Sequence, residues 1–430
     1  MDPISDKLKA LGVYIGTASI GNDHKEDKKE KSDNSEWLEV ISGHTINNLH
    51  GSTILIEKAF PEKYCHGCVE LRNDIPLKGI SLWMGQDQIT DYPLEDFVFI
   101  DIETTGLSGG TGTYAFLIGI GRLIDNRFQI NQLLMQDPIE EPAQLAAFEE
   151  IISQCKSIVT FNGKSFDIPL LQTRYKYHRW PHPFTDYSHI DLLHLARKLW
   201  RDRLPSRTLI NLELQILETI RTDEDIPGWM IPQIYFDFIN TRDATQLKRI
   251  IYHNQMDITS LAALFAHSAK ILDRPLSYNP DNGIDLLSLG KLFEELEDDK
   301  VASRLYKLGV EKLAINTGAQ EINFYLEASN RLAMIQKRNK NYPIALQHWV
   351  ISTKHKYIPA FIEIAKYYEH REKNFYLALE WTKSAIQCIE GLQADENQKN
   401  IYIQRWLPEL EYREARLMRK LATSDHNKNE

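Results

Sequence analysis

Phe97-Val-Phe-Ile-Asp101-Ile-Glu103-Thr-Thr-Gly-Leu107 is the stretch that decides the fold. Four consecutive apolar residues ending at a glycine turn predict a buried central strand. Side chains alternate along a strand, so Asp101 and Glu103 project on the same side of the sheet. Two carboxylates at the end of a buried strand repel each other and lose hydration, a costly arrangement unless a cation lies between them. A hard divalent ion, held by carboxylates and substrate phosphate, answers that cost. The alternative is an ordinary strand exit with solvated acids.

Two further segments carry acids in similar settings. Ser157-Ile-Val-Thr-Phe-Asn162-Gly163 predicts a second buried strand. Apolar residues at helical spacing follow, from Phe166 through Ile168, Leu170 and Leu171, and place Asp167 in the first turn of a helix. Ligands and catalytic groups collect at such strand ends in α/β sheets, although a carboxylate there also suits the helix N-terminus on its own account. Around Arg249–Phe265 the apolar positions trace a long amphipathic helix. His253 and Asp257 are four apart and share one face of it, as a functional pair or as a surface pair.

Asp-x-Glu on a strand, Asp after a second strand, and a helical His or Tyr before a last Asp resemble the DEDD exonuclease superfamily, with its ribonuclease-H-like fold. Asp101 through Gly119, Asp-Ile-Glu-Thr-Thr-Gly-Leu-Ser-Gly-Gly-Thr-Gly-Thr-Tyr-Ala-Phe-Leu-Ile-Gly, and His253-Asn-Gln-Met-Asp257 resemble its bacterial YprB-type branch. The resemblance implies that Asp101, Glu103, Asp167 and Asp257 hold two divalent ions, Mg²⁺ or Mn²⁺, and that His253 is the general base for attack on a phosphodiester. One family pattern has His five residues before the last Asp and the other has Tyr four before it. Here Tyr252 is at minus five and His253 at minus four, so the residue types are exchanged. His253 shares a face with Asp257 whereas Tyr252 points about 100° away around the helix, which leaves Tyr252 as the substitute. The same resemblance makes Thr104, Gly106, Leu107, Asn162, Lys164, Phe166 and Tyr252 the candidate contacts to nucleic acid. His189-Ile-Asp191 resembles a superfamily element beside the site, with Asp191 as a structural acid rather than a fifth ligand.

Ser108-Gly109-Gly110-Thr111-Gly112-Thr113 lets the backbone approach a nucleotide closely, or simply turns between two strands. No Gly-Lys-Ser/Thr follows, so it is not a phosphate-binding P-loop. Lys164, Arg174, Lys176, His178, Arg179 and Trp180, and then Arg197, Lys198, Arg201, Arg203 and Arg207, combine charge and aromatic surface. They suit phosphates and stacked bases, or a solvated helix face.

With 430 residues, 43% hydrophobic and 26% charged, the chain has length for two or three cored domains. Its net charge of −10 excludes general coating of nucleic acid, so a binding track has to be local. No apolar run reaches the ~20 residues of a membrane span, and Met1-Asp-Pro does not begin a secretion signal. A cytoplasmic protein without membrane contact is expected. Cys65-His66-Gly-Cys68 is half of a zinc site; His44 and His50 are the remaining nearby donors, and ordinary packing is the simpler expectation.

The expected organisation is an N-terminal segment, 1–36, with a charged disordered connector; a strand-rich extension, 37–95, packed on the nuclease; a ribonuclease-H-like α/β domain with a mixed sheet and flanking helices, 96–275; and a C-terminal all-α domain, 284–422. In the last, Lys340-Asn-Tyr-Pro-Ile-Ala-Leu and Lys373-Asn-Phe-Tyr-Leu-Ala-Leu stand 33 residues apart. Small–aromatic–small triplets recur at Ala302/Tyr306/Gly309, Ala345/Trp349/Ser352 and Ala378/Trp381/Ala385. This period resembles tetratricopeptide repeats, which imply a protein partner. The expected function is 3′–5′ exonucleolytic hydrolysis of single-stranded DNA or RNA. The alternative is a non-catalytic adaptor that binds nucleic acid and recruits partners through the repeats.

Overall fold

The computed structural model describes residues 36–106, 112–315, 321–391 and 396–426. Leu107 and most of the glycine-rich segment after it therefore lie outside the described residues, as does the charged connector. Among the described residues the strands are β1 (Gly43–Asn48), β2 (Gly51–Ala59), β3 (Cys65–His66), β4 (Val69–Glu70), β5 (Phe97–Thr104), β6 (Ala115–Ile124), β7 (Arg127–Leu134), β8 (Ser157–Thr160) and β9 (Ser188–Asp191). Seven of them form one mixed sheet in the order β1-β2-β7-β6-β5-β8-β9, while β3 and β4 make a separate small hairpin. β5, β6 and β7 meander antiparallel, and β8 and β9 add in parallel to β5. This is the ribonuclease-H-like mixed sheet. β1 and β2 continue the same sheet beyond β7, because Ile54 and Ile56 alternate inward with period two.

Before and between the strands lie α1 (Glu36–Val40), α2 (Lys78–Met84), α3 (Glu141–Ile152) and α4 (Asp167–Tyr177); after β9 come α5 (Leu192–Trp200), α6 (Leu209–Leu212) and α7 (Ile231–Thr241), and α8 (Leu247–Asp273) closes this part. Apolar residues face both sides of β5. Val98, Ile100 and Ile102 join Phe148, Ile168 and Leu171 in one core, whereas Phe97 and Phe99 pack in another against Phe265 of α8. A strand buried on both faces needs the unbroken apolar run that its sequence carries.

The rest is helical: α9 (Gly283–Glu295), α10 (Asp299–Ile315), α11 (Glu321–Arg338), α12 (Tyr342–Thr353), α13 (Ile358–His370), α14 (Phe375–Glu390) and α15 (Glu396–His426). The small residues of the recurring triplets are buried between these helices, with Ala302, Ala345, Ala378 and Ala385 fully covered. Leu286, Leu289, Tyr306 and Leu332 share one continuous core with Trp200, Phe265 and Leu272. The helical array is thus packed onto the sheet domain rather than tethered to it. Among the described residues no helix is long and apolar enough to cross a membrane.

Candidate active site

The face of β5 that buries Phe97 and Phe99 under α8 ends in Asp101 and Glu103. α8 crosses that face closely because Gly119 and Gly121 of β6 have no side chains. A Cβ on Gly119 would sit 2.1 Å from Asn254 Oδ1, and one on Gly121 would sit 2.5 Å from Ile258. Asn254 is fully buried, and its amide donates to Asp101 Oδ2 at 2.8 Å and to the Asp101 carbonyl at 3.2 Å. Its own oxygen accepts from Gln132 Nε2 at 2.8 Å, while Gln255 donates to Gln132 Oε1 at 2.9 Å. A buried chain of amides therefore fixes the first acid. Each link leaves no donor orphaned, the condition under which such a chain rigidifies a core.

Asp167 opens α4 directly after β8. The turn between them passes through Asn162, at φ +66°, and Gly163, where a Cβ would meet Thr160 at 2.5 Å. Asp191 at the end of β9 accepts the backbone N–H groups of Asn162 at 2.8 Å, Lys164 at 3.1 Å and Leu193 at 3.1 Å. With its oxygens occupied in this way, Asp191 holds the loop that delivers Asp167.

Asp257 and His253 lie one turn apart on α8. His253 Nδ1 stands 2.7 Å from Asp225 Oδ1; since a carboxylate only accepts, Nδ1 is the donor of this bond. Nε2 lies 3.6 Å from Asp257 Oδ2. Arg221 donates to Asp257 Oδ1 and, through Nε at 2.7 Å and Nη2, to both oxygens of the fully buried Glu213. Its Nη1 faces Asp225 at 3.4 Å. Tyr252 points elsewhere, its hydroxyl accepting from the Thr222 backbone N–H at 3.2 Å. The β3–β4 hairpin braces this limb: Cys68 N–H donates to the Leu217 carbonyl at 2.8 Å. A Cβ on Gly67 would fall 1.8 Å from that oxygen. His66 bonds Ser260 at 2.7 Å, and burial pushes its pKa down to about 4.

The four acids sense one another. Burial, then Asp257, Glu103 and Asp167, raise the pKa of Asp101 well above the carboxylate range, and Asn254 opposes the rise. Burial, then Asp257 and Asp167, raise Glu103 similarly, with Arg221 opposing. Asp167 is raised to about 7, mainly by burial, while hydrogen bonds from its own backbone and that of Ile102 pull the other way. Oxygen donors of this kind and number, partly buried and mutually repelling, fit hard divalent cations. The side chains as they stand are not closed into a ligand set: among the described residues no group of three or more His, Cys, Asp or Glu is arranged to hold a metal ion. Asp257 is engaged with Arg221 instead.

Thr104, Gly106 and Phe166 line a cleft onto which Asp167, alone of the four acids, opens, with Phe166 61% exposed. Lys164 is exposed and Asn162 half-buried in the turn before α4. The basic runs are largely committed elsewhere. Arg174 is fully buried, clamped on both oxygens of Glu141, which also bonds His178. Lys198 pairs with Glu295 and Arg203 with the buried Asp285, so these cations join the sheet domain to α9 instead of forming an open phosphate track. Glu213, Arg221, Asp225 and Gln132 were not singled out from sequence, and Asn254 only within a motif string. They lie in segments without periodicity or carry no charge, and only their spatial convergence identifies them.

Residues 98–269 match the RNase_H_2 family of the RNase_H superfamily. Over 383 residues, 86% of each chain, the sequence is 31% identical to "Uncharacterized protein YprB" of Bacillus subtilis (strain 168). Among solved structures, the family B DNA polymerase from the hyperthermophilic archaeon Pyrobaculum calidifontis is similar over 52% of this chain and 29% of the polymerase. At 17% identity and a TM-score of 0.31 that likeness carries no weight.

Proposed function

We propose, because this chain belongs to the YprB family and carries an RNase H-superfamily domain, that it is a metal-dependent nuclease removing nucleotides from the 3′ end of single-stranded nucleic acid. The observation that carries the proposal is the convergence of Asp101, Glu103, Asp167 and Asp257, from three separate elements, into one mutually repelling group, of which Asp167 opens onto a cleft. These residues would hold two Mg²⁺ or Mn²⁺ ions, which supply charge neutralisation for an in-line displacement at phosphorus. His253 takes the proton of the attacking water at Nε2. Asp225 keeps it in the tautomer that leaves this nitrogen free. Phe166 offers a ring on which the terminal base stacks, Thr104 and Gly106 face it across the cleft, and Lys164 meets a phosphate. The polarity of attack rests on the resemblance of the motifs to DEDD exonucleases. The helical array, resembling tetratricopeptide repeats, provides a surface for a protein partner.

The test is turnover of end-labelled single-stranded DNA and RNA with Mn²⁺, Mg²⁺ or chelator. Product ladders that vanish with chelator and in Asp101→Ala, and fall steeply in His253→Ala, are expected. Absence of turnover on every polymer would reject the proposal in favour of a binding adaptor.

A further inference from the structure

Arg221 is the feature that a bare acidic site does not require. It is 7% exposed and fixed end-on by Glu213, which is fully buried and pairs with Arg221 through both of its oxygens. From that anchor the guanidinium reaches Asp257 Oδ1, an oxygen on the side chain that the proposed function assigns to a metal ion. It also lies 3.4 Å from both Asp225 Oδ1 and His253 Nδ1. Among the described residues no other Lys or Arg makes a side-chain hydrogen bond or ion pair with Asp101, Glu103, Asp167 or Asp257. A monovalent cation that cannot lose its proton thus stands against one member of the acidic group.

We infer that Arg221 is a built-in counter-cation for Asp257, which a divalent ion has to displace. This rests on the metal-binding reading of the four acids. In the ion-free protein the pair shields Asp257 from its three neighbours and ties the segment carrying Arg221 to α8. When an ion arrives, Asp257 turns to it, and Glu213 keeps the guanidinium in place beside the site rather than letting it follow. Arg221 thereby sets how strongly the site takes its ion, and remains positioned next to the Asp225–His253 pair. Removing the competitor frees an acid that is already surrounded by like charge, so the divalent ion gains what the guanidinium gives up. Replacing Arg221 alone would strand Glu213 as an unpaired buried charge, so both partners have to be neutralised together.

The experiment is calorimetric titration of the chelator-treated full chain with Mn²⁺ alone, in wild type, in the Glu213→Gln/Arg221→Gln double variant and in Arg221→Lys. Circular dichroism checks the fold of each. The double variant is expected to bind Mn²⁺ roughly tenfold more tightly than wild type with unchanged stoichiometry. Arg221→Lys, which keeps the charge but loses the fork that bridges two carboxylates, is expected to lie between them. Unchanged or weaker binding in a folded double variant would overturn the inference and make Arg221 a support for Asp257. If the double variant does not fold, Arg221→Lys decides on the same criterion. Wild-type protein that takes no Mn²⁺ would overturn this inference and the metal-dependent reading together. Equal affinities overturn only this one, whatever the nuclease assay gives.

Discussion

Replacing Gly119 with alanine tests how the fold delivers the first acid. The new Cβ would stand 2.1 Å from Asn254 Oδ1, 2.8 Å from its Cγ and 2.3 Å from Ile258 Cδ1. A carbon and an oxygen in contact need over 3 Å, so the Asn254 amide has to move by about 1 Å or α8 has to lift. Overpacking of this kind destabilises by about 1–3 kcal/mol. The displaced amide also gives up its bonds with Asp101 and Gln132, at about 1 kcal/mol each. The expected loss is therefore about 3–5 kcal/mol, read from urea denaturation of metal-free protein followed by circular dichroism. Because the clash and the lost bonds share one side chain, Gly119→Ala and Asn254→Ala should be less than additive by about 1 kcal/mol or more. A loss below about 0.5 kcal/mol, or full additivity, would refute the close approach of α8 to β6 as the reason for a glycine in this strand.

Two further outcomes follow from the charges. Asp167 has a folded pKa raised to about 7 against 3.8 for the free side chain, so its ionised form weakens the ion-free fold. Its contribution to stability is therefore full below about 4, and is lost as pH rises to 7 and above. Chelator-treated wild type should melt higher at pH 5 than at pH 8, and Asp167→Asn should shrink that difference. A wild-type profile no steeper than that of Asp167→Asn would contradict it. Arg203→Ala leaves Asp285, 2% exposed, with Tyr278 at 3.2 Å as its remaining side-chain donor. Breaking a buried pair of this kind costs about 3 kcal/mol, and limited proteolysis should cut faster between the sheet domain and the helical array. Unchanged cleavage would mean that apolar packing alone carries the joint.

What was legible in the sequence, and what was not, divides along physical lines. β5 was legible because a strand buried on both faces needs an unbroken apolar run, and its two acids stand out against that run. The start of α4 was legible for the same reason, a short buried strand giving way to helical spacing at Asp167. The packing of α8 on β6 left its mark as Gly119 and Gly121, yet glycines in a strand equally mark bulges, so the partner was hidden. Glu213, Arg221 and Asp225 sit on a π-helical turn and the loop after it, where no period identifies a face. Arg174 and Arg203 had the look of a phosphate track because one chain position does not reveal whether a cation is already paired. Glu141 and Asp285 are 33 and 82 residues away from them.

That same distribution of charge bears on how a substrate could approach. Glu213, Asp225 and Asp257 contact Arg221, and Asp257 in turn acts on Asp101, Glu103 and Asp167, on a chain of net charge −10. Of the basic runs, Arg174, Arg203 and Lys198 are held by Glu141, Asp285 and Glu295, while Lys164, Lys176, Arg179, Arg197 and Arg201 are exposed. An acidic group of this kind repels an approaching polyanion. On the proposed function, entry of a nucleic acid end would depend on divalent ions arriving first, because the carboxylates that would hold the ions also repel the phosphates. On that reading loading and binding are coupled through one set of carboxylates, with Arg221 at the point where the coupling is adjusted.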